Sequence, residues 1–185
     1  NSSIFISDKF LFNSDLVTSD QASVIFNHYS YDSSFLESND VSLVLNVNDK
    51  KISLMAEYLD EENYYLPYYK TYTSVENVDW DIINEDLFFY NKNTLDIAPS
   101  FFPQEDLFSN WSVTSNSANI NLKKKQLKLN DVDELQISDA FILPRNGEVE
   151  IGENFSISKL YDSEIILDTI NAVSYTHLRA HETAT

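Results

Sequence analysis

Asp79-Trp80-Asp81 is where this 185-residue sequence first sets matched side chains at a spacing that suits chemistry. Alternate residues of an extended strand share a face, so both carboxylates point one way and the indole the other. Two acids held together could do the general acid–base work of glycoside hydrolysis. The same alternation has a plainer outcome, with the acids in water and Trp80 in a core. A second concentration of chemistry is aromatic. Tyr58, Tyr64, Tyr65, Tyr68, Tyr69 and Tyr72, with Trp80 and Trp111, offer apolar faces with polar tips, which suit stacking against sugars or peptides. The candidate ligand-binding residues are Tyr64, Tyr65, Tyr68, Tyr69 and Trp80. The competing reading is an aromatic cluster that covers a sheet. Exposure of two or more rings in a row separates the two.

Other constellations are weaker. Asp60-Glu61-Glu62 and Asn130-Asp131-Val132-Asp133-Glu134 are rich in oxygen, but neither has the spacing of a calcium loop, and solvated turns account for both. Lys123-Lys124-Lys125 is the only basic run and reads as a hairpin tip or a guarded edge. His28 has no Ser or Cys motif beside it. Nucleophile elbows, phosphate-binding glycine loops and His-Glu-x-x-His are all absent, so no catalytic residue, no metal site and no cofactor is expected. Zero cysteines exclude disulfides and thiolate chemistry. A formal net charge of -18 replaces counterion release by repulsion, which excludes a nucleic-acid partner.

The elements that must position these residues follow a period of two. Val41, Leu43, Leu45 and Val47 alternate with polar residues, and the alternation resumes at Ile52 after Asn48-Asp49-Lys50, which reads as a β-hairpin. Val78-Trp80-Ile82 and Leu87–Tyr90 make a second hairpin around Asn84-Glu85-Asp86. Ile4/Ile6 and Phe10/Phe12 suggest a strand pair around Ser7-Asp8-Lys9, and Val24/Phe26 one strand more. Pro67 argues for a loop or edge segment over 58–73. Pro103-Gln104-Glu105-Asp106-Leu107-Phe108 predicts the one short helix, over 103–109, with proline in its first turn and acids near its N-terminus. Later apolar pairs such as Ile120/Leu122, Leu127/Leu129 and Val149/Ile151 are unevenly separated, so no fixed-period solenoid is inferred. Asn146-Gly147, between Ile142 and Val149, carries the strongest hairpin signal. With only two glycines, most other turns fall to Asn, Asp and Ser.

The sum is an all-β chain of antiparallel short-strand sheets, sandwich-like, solenoid-like or elongated. The expected organisation is an N-terminal β segment over 1–95, a loop with the short helix over 96–112 and a C-terminal short-strand segment over 113–172. The chain opens on Asn1 with no visible signal peptide and no stretch near the ~18 apolar residues of a membrane span, and reads as a fragment or processed chain. Residues 173–185 break the composition. Val173-Ser174-Tyr175-Thr176-His177-Leu178-Arg179-Ala180-His181-Glu182-Thr183 resembles a translated sequencing-adapter tail, so this stretch is set aside as non-native, and with it the i, i+4 pair His177 and His181.

Two further resemblances bear on function. The run Asp139–Ile151 and the run Leu160–Ala172, with Tyr68-Tyr69-Lys70-Thr71 and Trp80-Asp81 upstream, resemble a stretch of large uncharacterised β-rich proteins of Bacteroidota, over about residues 64–172. No catalytic residues come with that resemblance. Ser117–Leu122 followed by Leu127-Lys128-Leu129 is similar to the strand rhythm of periplasmic lipopolysaccharide-transport bridge proteins, which implies an open lipid-lined groove; Asn130 stands where those proteins usually have glycine. The expected function is therefore a non-enzymatic structural segment of a large cell-envelope or surface protein, periplasmic or surface-exposed. Envelope lipid, glycan or neighbouring β segments of the same protein are its expected partners. A carbohydrate-binding or adhesive module, and a fragment of a glycan-active enzyme, are the alternatives.

Overall fold

The computed structural model describes residues 2–56, 62–92, 100–104, 111–137, 140–158, 160 and 162–167. Residues 173–185, Tyr58, Asp60 and Glu61, the side chain of Trp111, and residues 105–109 of the expected helix lie outside them. The fold is all-β and antiparallel, one large sheet that is not closed. Its spine is two long strands, β3 (Leu16–Asn27) and β4 (Ser34–Asn46), paired along most of their length. β1 (Ile4–Ile6) and β2 (Leu11–Phe12) each pair with β3 and not, as the sequence suggested, with one another. A strand as long as β3 offers both of them a partner.

Two wings leave β4. From its C-terminal half the first wing runs through β5 (Lys51–Ala56), β8 (Asn77–Asp81), β9 (Asp86–Tyr90), β12 (Ser117–Asn121), β13 (Gln126–Asn130) and β16 (Val149–Ile151). From its N-terminal half the second runs through β6 (Tyr64–Leu66), β7 (Thr71–Thr73), β10 (Ser100–Pro103), β11 (Trp111–Thr114), β14 (Leu135–Ile137), β15 (Ala140–Leu143) and β17 (Glu164–Leu167). The chain thus lays two strands in one wing, two in the other, and repeats. Residues 96–112 do not divide the sheet: β9 pairs with β12 across them, and β10, which lies within them, pairs with β7.

β3 and β4 pass between the wings by bending. The β3–β4 register shifts between Ser19 and Ala22 and again before Val24, and extra residues of this kind bend and twist a strand. Asp40 takes a positive φ of 57° opposite the bend, and Gln21 Nε2 donates to its carboxylate at 2.9 Å. Asp is one of the few non-glycine residues that visit this region routinely.

The apolar faces of the wings meet. In the first wing, register sets Leu45, Ile52, Trp80, Leu87, Ile120, Leu127 and Ile151 in one row across the strands. From the other wing, Phe26 and Phe35 close on Trp80, with ring centroids 4.9 and 5.2 Å away. Further along, Phe89 meets Phe101 edge to face at 6.4 Å. Each fully buried aliphatic or aromatic side chain contributes roughly 1.5–3 kcal/mol relative to exposure.

The hairpin tips show why two glycines suffice. The loops 47–50, 82–85, 122–125 and 67–70 each hold four residues between paired strand ends, and each ends on a positive φ, at Lys50, Glu85, Lys125 and Lys70. In the first wing the residue before the loop is Asn46, Asp81 or Asn121. Its side-chain oxygen accepts from the backbone N–H of Asp49, of Ile83 and Asn84, or of Lys124, at 3.0–3.1 Å. That side-chain turn supplies locally what glycine would otherwise permit. Each tip then docks on the next. Ile82 N–H donates to Lys50 O at 3.0 Å, Leu122 N–H to Glu85 O at 2.9 Å and, in the second wing, Gln104 N–H to Lys70 O at 2.8 Å. The first-wing tips are 35 and then 40 residues apart, an unequal spacing that hides the repeat from a search for one period.

Several sequence expectations need correction here. Segment 64–73 is a hairpin interior to the second wing; Pro67 opens its loop, where its missing N–H breaks no ladder. Pro103 is the last residue of β10, opposite Thr71, instead of the first turn of a helix. Among the described residues the only helical segment is a 3₁₀ turn at Glu153–Phe155. Asn146-Gly147 makes no hairpin. Gly147, at φ 65°, closes a turn onto Pro144 O, but β15 and β16 belong to different wings. The turn chemistry is local, whereas strand partners are chosen by the core.

The register assigns opposite fates to adjacent residues of β9. Leu87→Ala is expected to cost about 2–5 kcal/mol of unfolding free energy, because Leu87 is fully buried in the cross-strand row. Phe88→Ala, at a ring 49% exposed on the outer face, is expected to cost no more than about 1 kcal/mol. Urea unfolding of the two variants checks the inward assignment.

Candidate functional site

The structure divides the five candidate ligand residues. Tyr64, Tyr69 and Trp80 point into the sandwich and are buried, while Tyr65 and Tyr68 are half-buried. The five rings therefore form no common platform. Tyr64 lies between the wings with its hydroxyl on Glu76 O at 3.1 Å, and burial, eased a little by a backbone hydrogen bond, drives its pKa far above the ordinary phenol value. Tyr69 shares a 3.2 Å hydrogen bond with Tyr31. Burial raises the pKa of both; that of Tyr31 is pushed up to about 12. These hydroxyls stay protonated and serve packing.

The acid pair is likewise employed. Trp80 is 7% exposed against Phe26 and Phe35. Asp79 accepts from Tyr90 Oη at 2.9 Å. Asp81 caps the 82–85 loop, and its pKa is lowered first by the Asn84 backbone N–H and then by the Asn84 side chain. Both carboxylates lie on the outer face of β8 and make structural hydrogen bonds there. Among the described residues no group of His, Asp and Glu is disposed to hold a metal ion.

An aromatic row does exist, on different members. Tyr65, Tyr72 and Phe102 sit at matched register on β6, β7 and β10, on the outer face of the second wing. The Tyr65–Tyr72 centroids are 4.7 Å apart at 32° and the Tyr72–Phe102 centroids 5.9 Å apart at 25°. Those separations are close to the interstrand distance of about 4.8 Å, so the rings lean on each other and their faces are largely spent on one another. The row ends at an open depression of about 500 Å³ lined by Glu37, Asp40, Glu62, Asn63, Tyr65 and Tyr72. Tyr65 Oη donates to Gln104 Oε1, and Ser34 Oγ to Glu37 Oε1. Aromatic surface, carboxylates and a concavity coincide here. Phe102 was not legible in sequence, because Phe101-Phe102-Pro103 shows no alternation; only its pairing with Tyr72 puts it outside.

A polar cluster ties the β3–β4 loop to the hairpin tips. Glu85, at a tip, accepts from Tyr29 Oη at 3.1 Å, and Lys123 Nζ lies 3.5 Å from its other oxygen. His28 Nε2 comes within 3.3 Å of the carboxylate but is not aligned for a hydrogen bond, while His28 Nδ1 accepts from Ser30 N–H at 3.2 Å. Partial burial works to raise the Glu85 pKa, but the Tyr29 hydroxyl, Lys123 and His28 together outweigh it and leave the carboxyl below its ordinary value. The next tip extends the contact, with Lys125 Nζ 5.3 Å from the ring centroids of both Tyr31 and Tyr68, within cation–π range. Sequence placed Glu85 and Lys125 at hairpin turns, but nothing in it marked Tyr31 or brought the three together.

The apolar residues of the run that resembles a lipid-groove strand rhythm, Ile120, Leu122, Leu127 and Leu129, are fully buried, packed between the wings. No protein-family model matches the chain, and a search of curated proteins finds no match.

The Glu85 cluster has a pH signature. A carboxyl whose folded pKa is depressed contributes stability that is present above its unfolded pKa and lost as pH falls through the folded value. Glu85→Gln is therefore expected to lower Tm near pH 6 and to make progressively less difference as pH falls through and below the ordinary carboxylate range. Melting of both proteins by circular dichroism from pH 7 to pH 3 checks it; a constant gap across that range would show that the Glu85 charge contributes nothing.

Proposed function

We propose that this chain is a non-enzymatic structural segment of a large bacterial cell-envelope or surface protein, of the β-rich Bacteroidota kind that residues 64–172 resemble. The observation that carries this reading is the array of hairpins, each tip hydrogen-bonded to the next through Lys50 O, Glu85 O and Lys70 O. Such an array extends by adding units, and each unit contacts only its neighbours, as in repeat architectures generally. The side chains that first suggested chemistry hold the array together: Asp81 caps a loop, Asp79 anchors Tyr90, and Trp80, Tyr64 and Tyr69 fill the interior. A strongly acidic outer surface keeps such a scaffold soluble and self-repelling in its unfolded form.

Sequencing the native gene through both flanks tests the reading. Further units of about 35–40 residues, each with an Asn or Asp before a four-residue loop, together with an export signal or anchor, are the expected result. A frame that leads directly into a domain with a catalytic constellation would overturn it and make this segment an accessory module.

A second reading, a carbohydrate-binding module, draws on the Tyr65–Tyr72–Phe102 row and the acidic depression beside it. The end face of Tyr65 and the carboxylates of Glu37 and Glu62 suit a neutral or amino sugar, and the net charge disfavours an acidic one. Affinity electrophoresis on a panel of neutral, amino and acidic glycans separates the readings. The scaffold reading expects no retardation; retardation that Tyr65→Ala reduces by about tenfold, a loss of roughly 1.4 kcal/mol, would put the binding module first.

A further inference from the structure

His28 follows the last residue of β3 and is buried, 7% exposed, where the β3–β4 loop meets the hairpin tips. Its ring centroid lies 4.1 Å from that of Tyr29, and it stands edge to face with Tyr31 and Phe35 at 6.2 and 6.4 Å. The two ring nitrogens face different elements. Nδ1 accepts from the Ser30 N–H at 3.2 Å and so helps to close a turn in which the Tyr31 N–H donates to His28 O at 3.1 Å. Nε2 is buried, makes no hydrogen bond and stands 3.3 Å from Glu85 Oε2 on the 82–85 tip.

These contacts select the tautomer. A neutral imidazole has one N–H and one lone pair. The Ser30 N–H takes the lone pair at Nδ1, so the proton of the neutral ring is on Nε2, beside Glu85. A second proton can go only to Nδ1, where it meets the Ser30 N–H, donor against donor. The ring therefore loses its hold on the turn in the same step that gives it a charge to set against the Glu85 carboxylate. The other charged and titratable groups around it are Lys123, Lys125, Tyr29 and Tyr31. Lys123 Nζ, 3.5 Å from Glu85 Oε1, opposes a cation at His28, and Lys125 Nζ lies 5.3 Å from the Tyr31 ring centroid. Tyr29 Oη donates to Glu85 Oε2 at 3.1 Å, and Tyr31 Oη is shared with Tyr69. Lys123 uses Oε1 while His28 approaches Oε2, so a charged ring can draw closer to Glu85 without displacing the lysine.

We infer that His28 is a protonation-driven latch: neutral, it closes the 28–31 turn through Ser30; charged, it releases that turn and fastens to Glu85 on the neighbouring tip. Imidazole is the side chain whose charge ordinarily changes between about pH 5 and 8. The β3–β4 loop stays on the tips in both states. What changes is its outer turn, where Tyr29 is 71% exposed. The latch is local to this loop and tip, and it operates whether or not the chain is a scaffold.

Nitrogen-15 NMR of the full chain, titrated from pH 8 to pH 5, tests it. The His28 ring signals are told from those of His177 and His181 by their loss in His28→Asn. At pH 8 the ring is expected to carry its proton on Nε2. As the ring takes up its second proton, the Ser30 amide proton should move upfield with the same midpoint, the mark of a released hydrogen bond. His28→Asn keeps a side-chain oxygen two residues before Ser30, an acceptor suited to the same turn, and has nothing to titrate; there the Ser30 amide should stay fixed across the range. Glu85→Gln removes the attraction for the charged ring and should move the His28 midpoint to lower pH, with Ser30 still following the ring. A neutral ring protonated on Nδ1, or a Ser30 amide that does not follow the ring, would overturn the latch in the wild-type chain, with no variant needed. A Ser30 amide that titrates as before in His28→Asn, or an unmoved midpoint in Glu85→Gln, would overturn it as well.

Discussion

The contact of Phe26 and Phe35 with Trp80 is what the architecture depends on. β3 and β4 feed both wings, and a bent two-strand spine by itself leaves the wings free to splay. Rings from the spine closing on Trp80 at 4.9 and 5.2 Å bring the apolar faces together where the wings diverge. Once they are apposed there, every later hairpin finds a half-built core and buries its one apolar face by joining it. Short strands of three to five residues are marginal as isolated hairpins. The array makes them cooperative, because each supplies both a lateral ladder and a lid for the opposite wing.

That constraint explains why residues that look chemical are structural here. A strand with alternating faces sends Trp80 inward and Asp79 and Asp81 outward, and the outer positions nearest the loops are then recruited to satisfy loop N–H groups. Asn46, Asp81 and Asn121 do the same job at successive tips. The tyrosines obey the same parity, with Tyr64 in and Tyr65 out on adjacent positions. The outward row of Tyr65, Tyr72 and Phe102 arises because three paired strands each place an aromatic residue at the same level. Cross-strand aromatic pairs of this sort stabilise a sheet in their own right, which makes the row intelligible with or without a ligand at its end.

The clamp around Glu85 solves a different problem. The β3–β4 loop must cross the hairpin tips at one end of the sandwich, where no strand can cover it. Glu85, collecting Tyr29, His28 and Lys123, and Lys125, lying against Tyr31 and Tyr68, fasten it there with charge where apolar area is short. Contacts of this kind are individually weak at exposed positions, because water and salt screen them, but they act together across two successive tips and the loop.

The sequence by itself determined the period. Alternation at Val41–Val47, Val78–Ile82 and Leu127–Leu129 dictates strands with one apolar face, and Asn, Asp and Lys between them dictate hairpin loops made without glycine; three of those hairpins form where the pattern puts them. Both are properties of residues two to four apart, within reach of local sterics and hydrogen bonding. Tertiary structure decided which strands are partners. Asn146-Gly147 turns the chain yet joins strands of different wings, Pro67 sits in a loop between interior strands, and β1 and β2 both choose β3. Those outcomes depend on which apolar faces can be buried together, a sum over the whole core that no local signal contains. The same holds for the candidate site: residue type marked out the tyrosines, but only register separated Tyr64, Tyr69 and Trp80 in the core from Tyr65, Tyr72 and Phe102 on the surface.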